Sequence, residues 1–164
     1  MGCKVTKGIS EPEPTVKSPP TLNEVKGFLK ISELKSFRNQ KKAGMNLLQF
    51  AQTSRECCEQ LVQEGVIEIL TKLSESKSPE AQEYSLRVFM EISRFEYCRE
   101  HILNLSAVLP LTMGLRSKRS DLRELSLDAI EKMCSIDRAK VVFVNEGVVP
   151  GYVFFQFGIV VLGD

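Results

Sequence analysis

The sequence predicts an all-α chain of stacked helical repeats, an α-solenoid of about three repeats. Three observations predict this class: helical patterns recur about every 42 residues, a proline-rich stretch precedes them, and an uncharged apolar stretch follows them. Repeats of roughly 40 to 47 residues are typical of solenoids built from two or three helices per unit. We therefore expect a disordered leader over residues 1–20, helical repeats over residues 21–150 and an irregular apolar tail over residues 151–164 that ends the last repeat early.

Composition and charge narrow the functional classes. The 164 residues are 43% apolar and carry 22 basic against 21 acidic side chains, a net charge of +1. A net charge this close to zero does not indicate a nucleic-acid-binding protein. The charge is unevenly distributed, however, because residues 1–42 carry a net charge of +5 and the remainder a net charge of −4. Five cysteines without a C-x-x-C spacing and a single histidine indicate a reducing, cytoplasmic setting. We expect no metal, no cofactor and no nucleic-acid partner.

The leader contains four of the seven prolines, all within residues 8–20. Proline removes a backbone donor and biases the preceding residue toward extended geometry. Such a stretch is typical of a solvated tether rather than a folded element.

The extreme N-terminus carries a lipidation pattern. Its first six residues match M-G-x-x-x-[ST], in which Gly2 receives a myristoyl chain after Met removal. One such chain holds a protein to a bilayer only marginally, so stable anchoring needs a second signal. Cys3 offers a palmitoylation site, and Lys4, Lys7 and the basic residues of 26–42 offer attraction to anionic lipid. We expect lipidation at Gly2 and Cys3; the alternative is an unmodified terminus in which the glycine is incidental.

The rest of the chain repeats itself. Residues 82–93 align with residues 123–134 at an offset of 41, and residues 40–51 align with residues 82–93 at an offset of 42. Each copy predicts an amphipathic helix. A second block recurs at residues 61–73, 105–115 and 143–150.

The string LVQEGVIEIL at residues 61–70 resembles the L-x-x-x-G-[AV]-[IV]-x-x-L block of the armadillo repeat family, in which a short helix bends sharply at the glycine into a second helix. Gly65 accepts backbone angles that this bend needs. Pro110 falls in the first turn of the equivalent second helix, while Ser78 and Ser120 lie where they would cap the longer third helices. The resemblance covers about residues 23–150 and implies an armadillo-like α-solenoid.

The resemblance also implies a partner groove along the third helices, where armadillo proteins often hold extended peptides with a ladder of Asn residues and a Trp one turn earlier. Here the corresponding positions are Gln49, Glu91 and Lys132 for the ladder and Met45, Arg87 and Asp128 for the Trp. None is Asn or Trp, which disfavours an importin-type reader of nuclear-localisation signals. Arg87 with Glu91, and Asp128 with Lys132, form opposite-charge i,i+4 spacings that fit either a solvated helix face or a polar groove.

Other reactive residue types favour packing over catalysis. His101 has no companions at the spacing of a triad or a metal site, so we expect it to pack within a helix. At least one of the adjacent Cys57 and Cys58 must face the core, where a thiol acts as a small hydrophobe. The basic cluster at residues 116–121 predicts an exposed loop, with a docking patch for acidic partners or a phosphorylation site at Ser120 as alternatives.

The tail breaks the repeat pattern. No charged residue lies between Glu146 and Asp164, and Phe154, Phe155 and Phe157 occur together. With Pro150 inside it, this uncharged run is short for the roughly 20 residues that span a membrane. This apolar run would either cover the open face of the last repeat or stand where further repeats of a longer protein have been replaced. An exposed apolar end could also drive self-association.

These features favour a non-catalytic adaptor that binds other proteins through its repeat surface and is tethered to a membrane by its acyl groups and N-terminal lysines. The alternative is a soluble armadillo-type scaffold, cytoskeletal or signalling, without a lipid anchor.

Overall fold

The computed structural model describes residues 19–30, 35–104 and 108–145. Within these ranges the chain forms nine α-helices and no strand, which confirms the predicted all-α repeat fold. The helices are α1 (Leu22–Phe28), α2 (Phe37–Ala51), α3 (Arg55–Gln63), α4 (Val66–Ser74), α5 (Pro79–Ile92), α6 (Glu96–Asn104), α7 (Leu109–Leu115), α8 (Ser120–Met133) and α9 (Asp137–Asn145). The lipidation candidates Gly2 and Cys3, residues 1–18 of the leader and the whole tail at 151–164 lie outside the described residues.

Serine side chains begin several of the helices. Ser78 caps α5 as predicted, because its Oγ accepts a hydrogen bond from the Ala81 backbone N–H at 3.3 Å. The corresponding prediction for Ser120 is wrong, since α8 begins at Ser120 itself and the preceding Arg119 holds the N-cap position. A guanidinium only donates hydrogen bonds, so Arg119 does not cap the helix with its side chain.

A sharp bend joins the first two helices of a unit. Gly65 has φ 84° and ψ 30°, a left-handed conformation, and it separates α3 from α4 as the sequence predicts. Side chains other than glycine are strained there. In the next unit, Pro110 lies in the first turn of α7, where its missing N–H removes no helical hydrogen bond.

The helices form units of two short helices followed by a long one. Two units are complete, α3–α5 and α6–α8, with α1 and α2 before them and α9 after them. The long helices pack in order, α2 on α5 and α5 on α8, and α4 packs on α7. One continuous core results, in which Leu47, Phe89 and Ile130 are the buried residues of three successive long helices.

A glycine permits a close approach between units. A Cβ atom at Gly114 of α7 would lie 2.7 Å from Cδ1 of Leu86 and would overlap the hydroxyl of Ser126. Helix α7 is therefore seated directly against both α5 and α8, and Leu86, 1% exposed, is covered by the following unit.

An ion-pair network also joins α5 to the start of α8. Glu83 accepts hydrogen bonds from Arg119 at 2.8 Å and from Arg87 at 2.9 Å, and Arg119 also contacts Asp121. Burial acts to raise the pKa of Glu83, but the hydrogen bonds from Arg119 and Arg87 outweigh it and hold that pKa below its usual range. The folded chain thus favours the charged form of Glu83.

Replacing Gly65 tests the bend. Gly65→Ala is expected to lower the free energy of unfolding by about 1 to 2 kcal/mol through backbone strain alone, because an added Cβ there meets no atom within 4 Å. Gly27→Ala is the matched control, since Gly27 lies in α1, its added Cβ also meets nothing within 4 Å, and alanine favours a helix. Urea titration measures both, and an unchanged midpoint for Gly65→Ala would contradict the strain argument.

Replacing Glu83 tests the network between units. Near neutral pH, Glu83→Gln is expected to lower the free energy of unfolding by about 1 kcal/mol or less, because the network is partly exposed. Folding lowers the pKa of Glu83. The stability that this shift contributes is fully present above the pKa of Glu83 in the unfolded chain, and it is lost as the pH falls through the pKa of Glu83 in the folded chain. The gap between wild type and Glu83→Gln should therefore narrow on acidification, measured by urea unfolding across pH. The control is Glu68→Gln, an exposed α4 carboxylate without an ion pair in the described ranges; a gap that stays constant rules out the linkage.

Candidate functional site

The six groove candidates lie at equivalent positions on the three long helices. Met45 and Gln49 are on α2, Arg87 and Glu91 on α5, and Asp128 and Lys132 on α8. Met45, Gln49, Arg87 and Asp128 are exposed, whereas Glu91 and Lys132 are half-buried. Because α5 packs between α2 and α8, these side chains follow one another across neighbouring helices.

The predicted pairing of Arg87 with Glu91 is wrong. Arg87 instead pairs with Glu83 at 2.9 Å, one turn toward the helix N-terminus, and Glu91 pairs with Arg94 at 2.9 Å. The Cα–Cβ bonds of a helix tilt toward its N-terminus, so a long side chain reaches back over the preceding turn. A carboxylate that precedes its cation by four residues is also the more favourable order.

The predicted pairing of Asp128 with Lys132 is also not formed between the charged groups. Lys132 Nζ lies 3.5 Å from the backbone carbonyl oxygen of Asp128, not from its carboxylate. Within the described residues, the exposed carboxylate of Asp128 forms no ion pair and is available to a partner.

The other candidate surface is a basic end formed by α1, α2 and the segment between them. Residues 19–54 carry six basic side chains against two acidic ones, Glu24 and Glu33, of which Glu33 lies outside the described residues. The six are Lys26, Lys30, Lys35, Arg38, Lys41 and Lys42. A cleft of about 370 Å³ opens between α1 and α2 and is lined in part by the lysines at positions 30 and 42.

These six cations are not equally available. Lys26 pairs with Glu64 at 2.8 Å, and Lys41 lies 3.8 Å from Glu80. The ammonium of Lys42 lies 5.9 Å from the ring centroid of Phe28, a cation–π arrangement. The remaining three are exposed and make no ion pair with any described residue: Lys30, Lys35 and Arg38.

The buried cysteines are structural. Cys58 is fully buried and its Sγ lies 3.1 Å from the Ala51 carbonyl oxygen, which confirms that one of the adjacent pair faces the core. Burial raises the pKa of Cys58 to about 12, and burial likewise raises the pKa of Cys98 and of Cys134 to about 11. These three thiols stay protonated near neutral pH and are poor nucleophiles.

The His101 side chain packs against Tyr97 of the same helix, α6. It is half-buried on α6, its ring centroid lies 4.5 Å from that of Tyr97, and its Nδ1 lies 3.3 Å from the Tyr97 carbonyl oxygen. In the ranges that the structure describes, no cluster of three or more His, Cys, Asp or Glu residues could hold a metal ion.

The basic loop before α8 contains both unpaired and ion-paired side chains. Arg116 and Lys118 are exposed and unpaired among the described residues, whereas Arg119 binds Glu83 and Asp121. Part of the predicted exposed cluster thus stabilises the junction between units. Among the described helices, none combines the length and the apolar character needed to cross a bilayer.

Comparison with known proteins supports the fold. No family model and no curated protein matches the sequence. Among solved structures, three engineered proteins from the Northeast Structural Genomics Consortium are similar, with TM-scores of 0.68, 0.69 and 0.69 at 24%, 25% and 17% identity. The alignments cover 76%, 77% and 77% of this chain but only 51%, 31% and 53% of theirs. The chain thus shares a helical-repeat fold with proteins of which it spans about a third to a half.

Proposed function

We propose that the protein is a non-catalytic adaptor, held at a cytoplasmic membrane surface by acyl groups on Gly2 and Cys3, that presents its repeat surface to another protein. The observation that supports this most directly is the basic end. Lys30, Lys35 and Arg38 are exposed and unpaired within the described structure. Lys30 follows α1, Lys35 precedes α2 and Arg38 lies in α2, the first two helices after the leader.

The electrostatics of a bilayer explain why this arrangement favours membrane contact. The cytoplasmic leaflet is anionic, and each Lys or Arg near it contributes about 1 kcal/mol of attraction. That attraction fades beyond a Debye length of about 8 Å, so only cations close to the lipid contribute. Cations on α1 and α2 lie near the lipidation site along the chain and supply the second signal that a single myristoyl chain needs.

The binding role rests on the form of the units. We infer that they are armadillo-type units, because two short helices bend at Gly65, proline starts α7, and a longer helix follows in each complete unit. In such units the exposed face of the long helices is the surface that receives a partner. The candidate contacts on that face that are exposed and form no ion pair among the described residues are Met45, Gln49 and Asp128.

A non-catalytic role agrees with the state of the reactive side chains. The thiols of Cys58, Cys98 and Cys134 are buried and protonated, and His101 is packed on Tyr97. None of these groups is arranged to donate or accept a proton at an open site.

Lipidation is tested by metabolic labelling with an alkynyl myristate analogue in cells. Wild-type protein should take up the label and Gly2→Ala should lose it, because the acyl chain is attached to the Gly2 amine. Proximity labelling of the same two proteins should show membrane-associated neighbours only for the wild type. Cys3→Ser is the control: it should keep the myristate label and a weakened membrane association, since the second acyl chain is lost while the basic end remains. An unlabelled wild type would leave the soluble scaffold as the better account.

The basic end is tested with unacylated protein and vesicles of phosphatidylserine and phosphatidylcholine. The triple variant Lys30→Gln, Lys35→Gln, Arg38→Gln should lose about 3 kcal/mol of binding, or about a hundredfold in partition coefficient. Co-sedimentation measures this loss, which should shrink as salt is raised.

The matched control removes three exposed, unpaired cations from the loops before α5 and α8: Lys77→Gln, Arg116→Gln and Lys118→Gln. Both triple variants change the net charge equally. If the control weakens vesicle binding as much as the α1–α2 variant does, net charge rather than the basic end determines the attraction.

A further inference from the structure

The repeat itself reveals which surface the following unit normally covers. A step of 41 residues places residues 67–103 on residues 108–144, and most positions keep the same degree of exposure. Where two equivalent positions differ, the residue of the later copy is the more exposed one. Leu86, for example, is 1% exposed, whereas its equivalent Leu127 is 37% exposed.

These exceptions define an open face at the last described unit, formed by Leu115, Leu127, Val141 and Val144. Their equivalents in the preceding unit are all buried or half-buried: Ser74, Leu86, Glu100 and Leu103. In that unit α4 and α5 pack on α7 and α8, so the equivalent positions face the next unit. The open face is therefore the stacking surface of a unit whose successor lies outside the described residues.

The residues of the open face differ in chemistry from the equivalent residues of the preceding unit. Glu100 of α6 pairs with Arg138 of α9 at 2.9 Å, a charged contact between units. One period later the position of Glu100 is held by Val141, which is 59% exposed, and the position of Ser74 is held by Leu115. Two polar positions have thus become apolar, so the open face fits an apolar occupant better than another charged unit.

We propose that residues 148–157 of this chain dock on the open face, in the place that a second helix holds in the inner units. This inference stands apart from the membrane role and concerns how the solenoid ends. The segment follows α9 by two residues, as α4 follows α3, which gives it a high effective concentration at the face. It carries no charged residue, so docking desolvates no charge of its own.

The register of the sequence supports this occupant. The α4 positions of Ile67, Leu70 and Leu73 are buried, and their α7 equivalents are Val108, Leu111 and Gly114, also buried. A further step of 41 residues reaches the apolar Val149, Tyr152 and Phe155. At the position of Gly114 this register places Phe155, so the segment would lie farther from Leu127 than α7 lies from Leu86, with the Phe155 ring filling the space between them.

The other positions that become more exposed in the last unit are charged or polar: Ser117, Arg119, Glu124, Glu131 and Arg138. Glu131 is exposed where α5 has the half-buried Met90. An apolar segment offers this carboxylate no partner, so it stays in solvent at the margin of the docked segment. Docking of residues 148–157 would cover the apolar patch and prevent end-to-end association of the solenoid.

The test is photo-crosslinking in the full chain, with p-benzoylphenylalanine in place of Leu127. The expected product is a monomer in which residue 127 is joined to a peptide from residues 148–157, identified by mass spectrometry. The control carries the same probe in place of Leu109, whose equivalent Glu68 is also exposed, so the next unit does not cover it. Crosslinks between two chains would show that a second copy covers the face, and they would overturn the proposal, as would the absence of any crosslink to residues 148–157.

Two further substitutions in the Leu127 probe protein test the register. Phe155→Asp should lower the crosslink yield about tenfold, because it brings a carboxylate to an apolar contact. Phe154→Asp should leave the yield nearly unchanged, since Phe154 corresponds to the exposed Lys72 and Met113. Equal losses from the two variants would overturn the proposed register.

Discussion

The structure depends on the burial of each unit's apolar face by the next unit. Leu86 is 1% exposed where α7 and α8 lie against α5, and a side chain at residue 114 would clash with Leu86 and with Ser126. A unit separated from its neighbour would expose this surface to water, so stability is shared between adjacent units rather than held within one. The ends of the stack are consequently the places where its chemistry must change.

The two ends of the described stack change in different ways. The first end concentrates exposed cations on α1 and α2, whereas the last presents Leu127 and Val141. Cations attract a charged surface over several ångströms, but apolar side chains gain only from direct contact. The first end is thus suited to a broad anionic surface and the last to a closely packed segment. The net charge of +1 conceals this difference because the body of the stack is acidic.

Sequence reasoning predicted the backbone features better than the side-chain contacts. The bend at Gly65, the proline in α7, the cap at Ser78 and the burial of one of the adjacent Cys57 and Cys58 each depend on a local pattern. The cap at Ser120 was wrong because the preceding Arg119 holds the N-cap position.

The ion pairs were harder to predict because they depend on direction and on distant partners. Arg87 had carboxylates four residues away on both sides, and only the backward tilt of helical side chains selects Glu83 over Glu91. Glu83 in turn is shared with Arg119, 36 residues later, a partner that the period alone does not reveal. The spacing of charges on one helix therefore indicates which pairs can form, whereas the stacking of units decides which do. The same reasoning applies to any partner of the long helices, which must compete with these pairs or bind beside them, at Met45, Gln49 and Asp128.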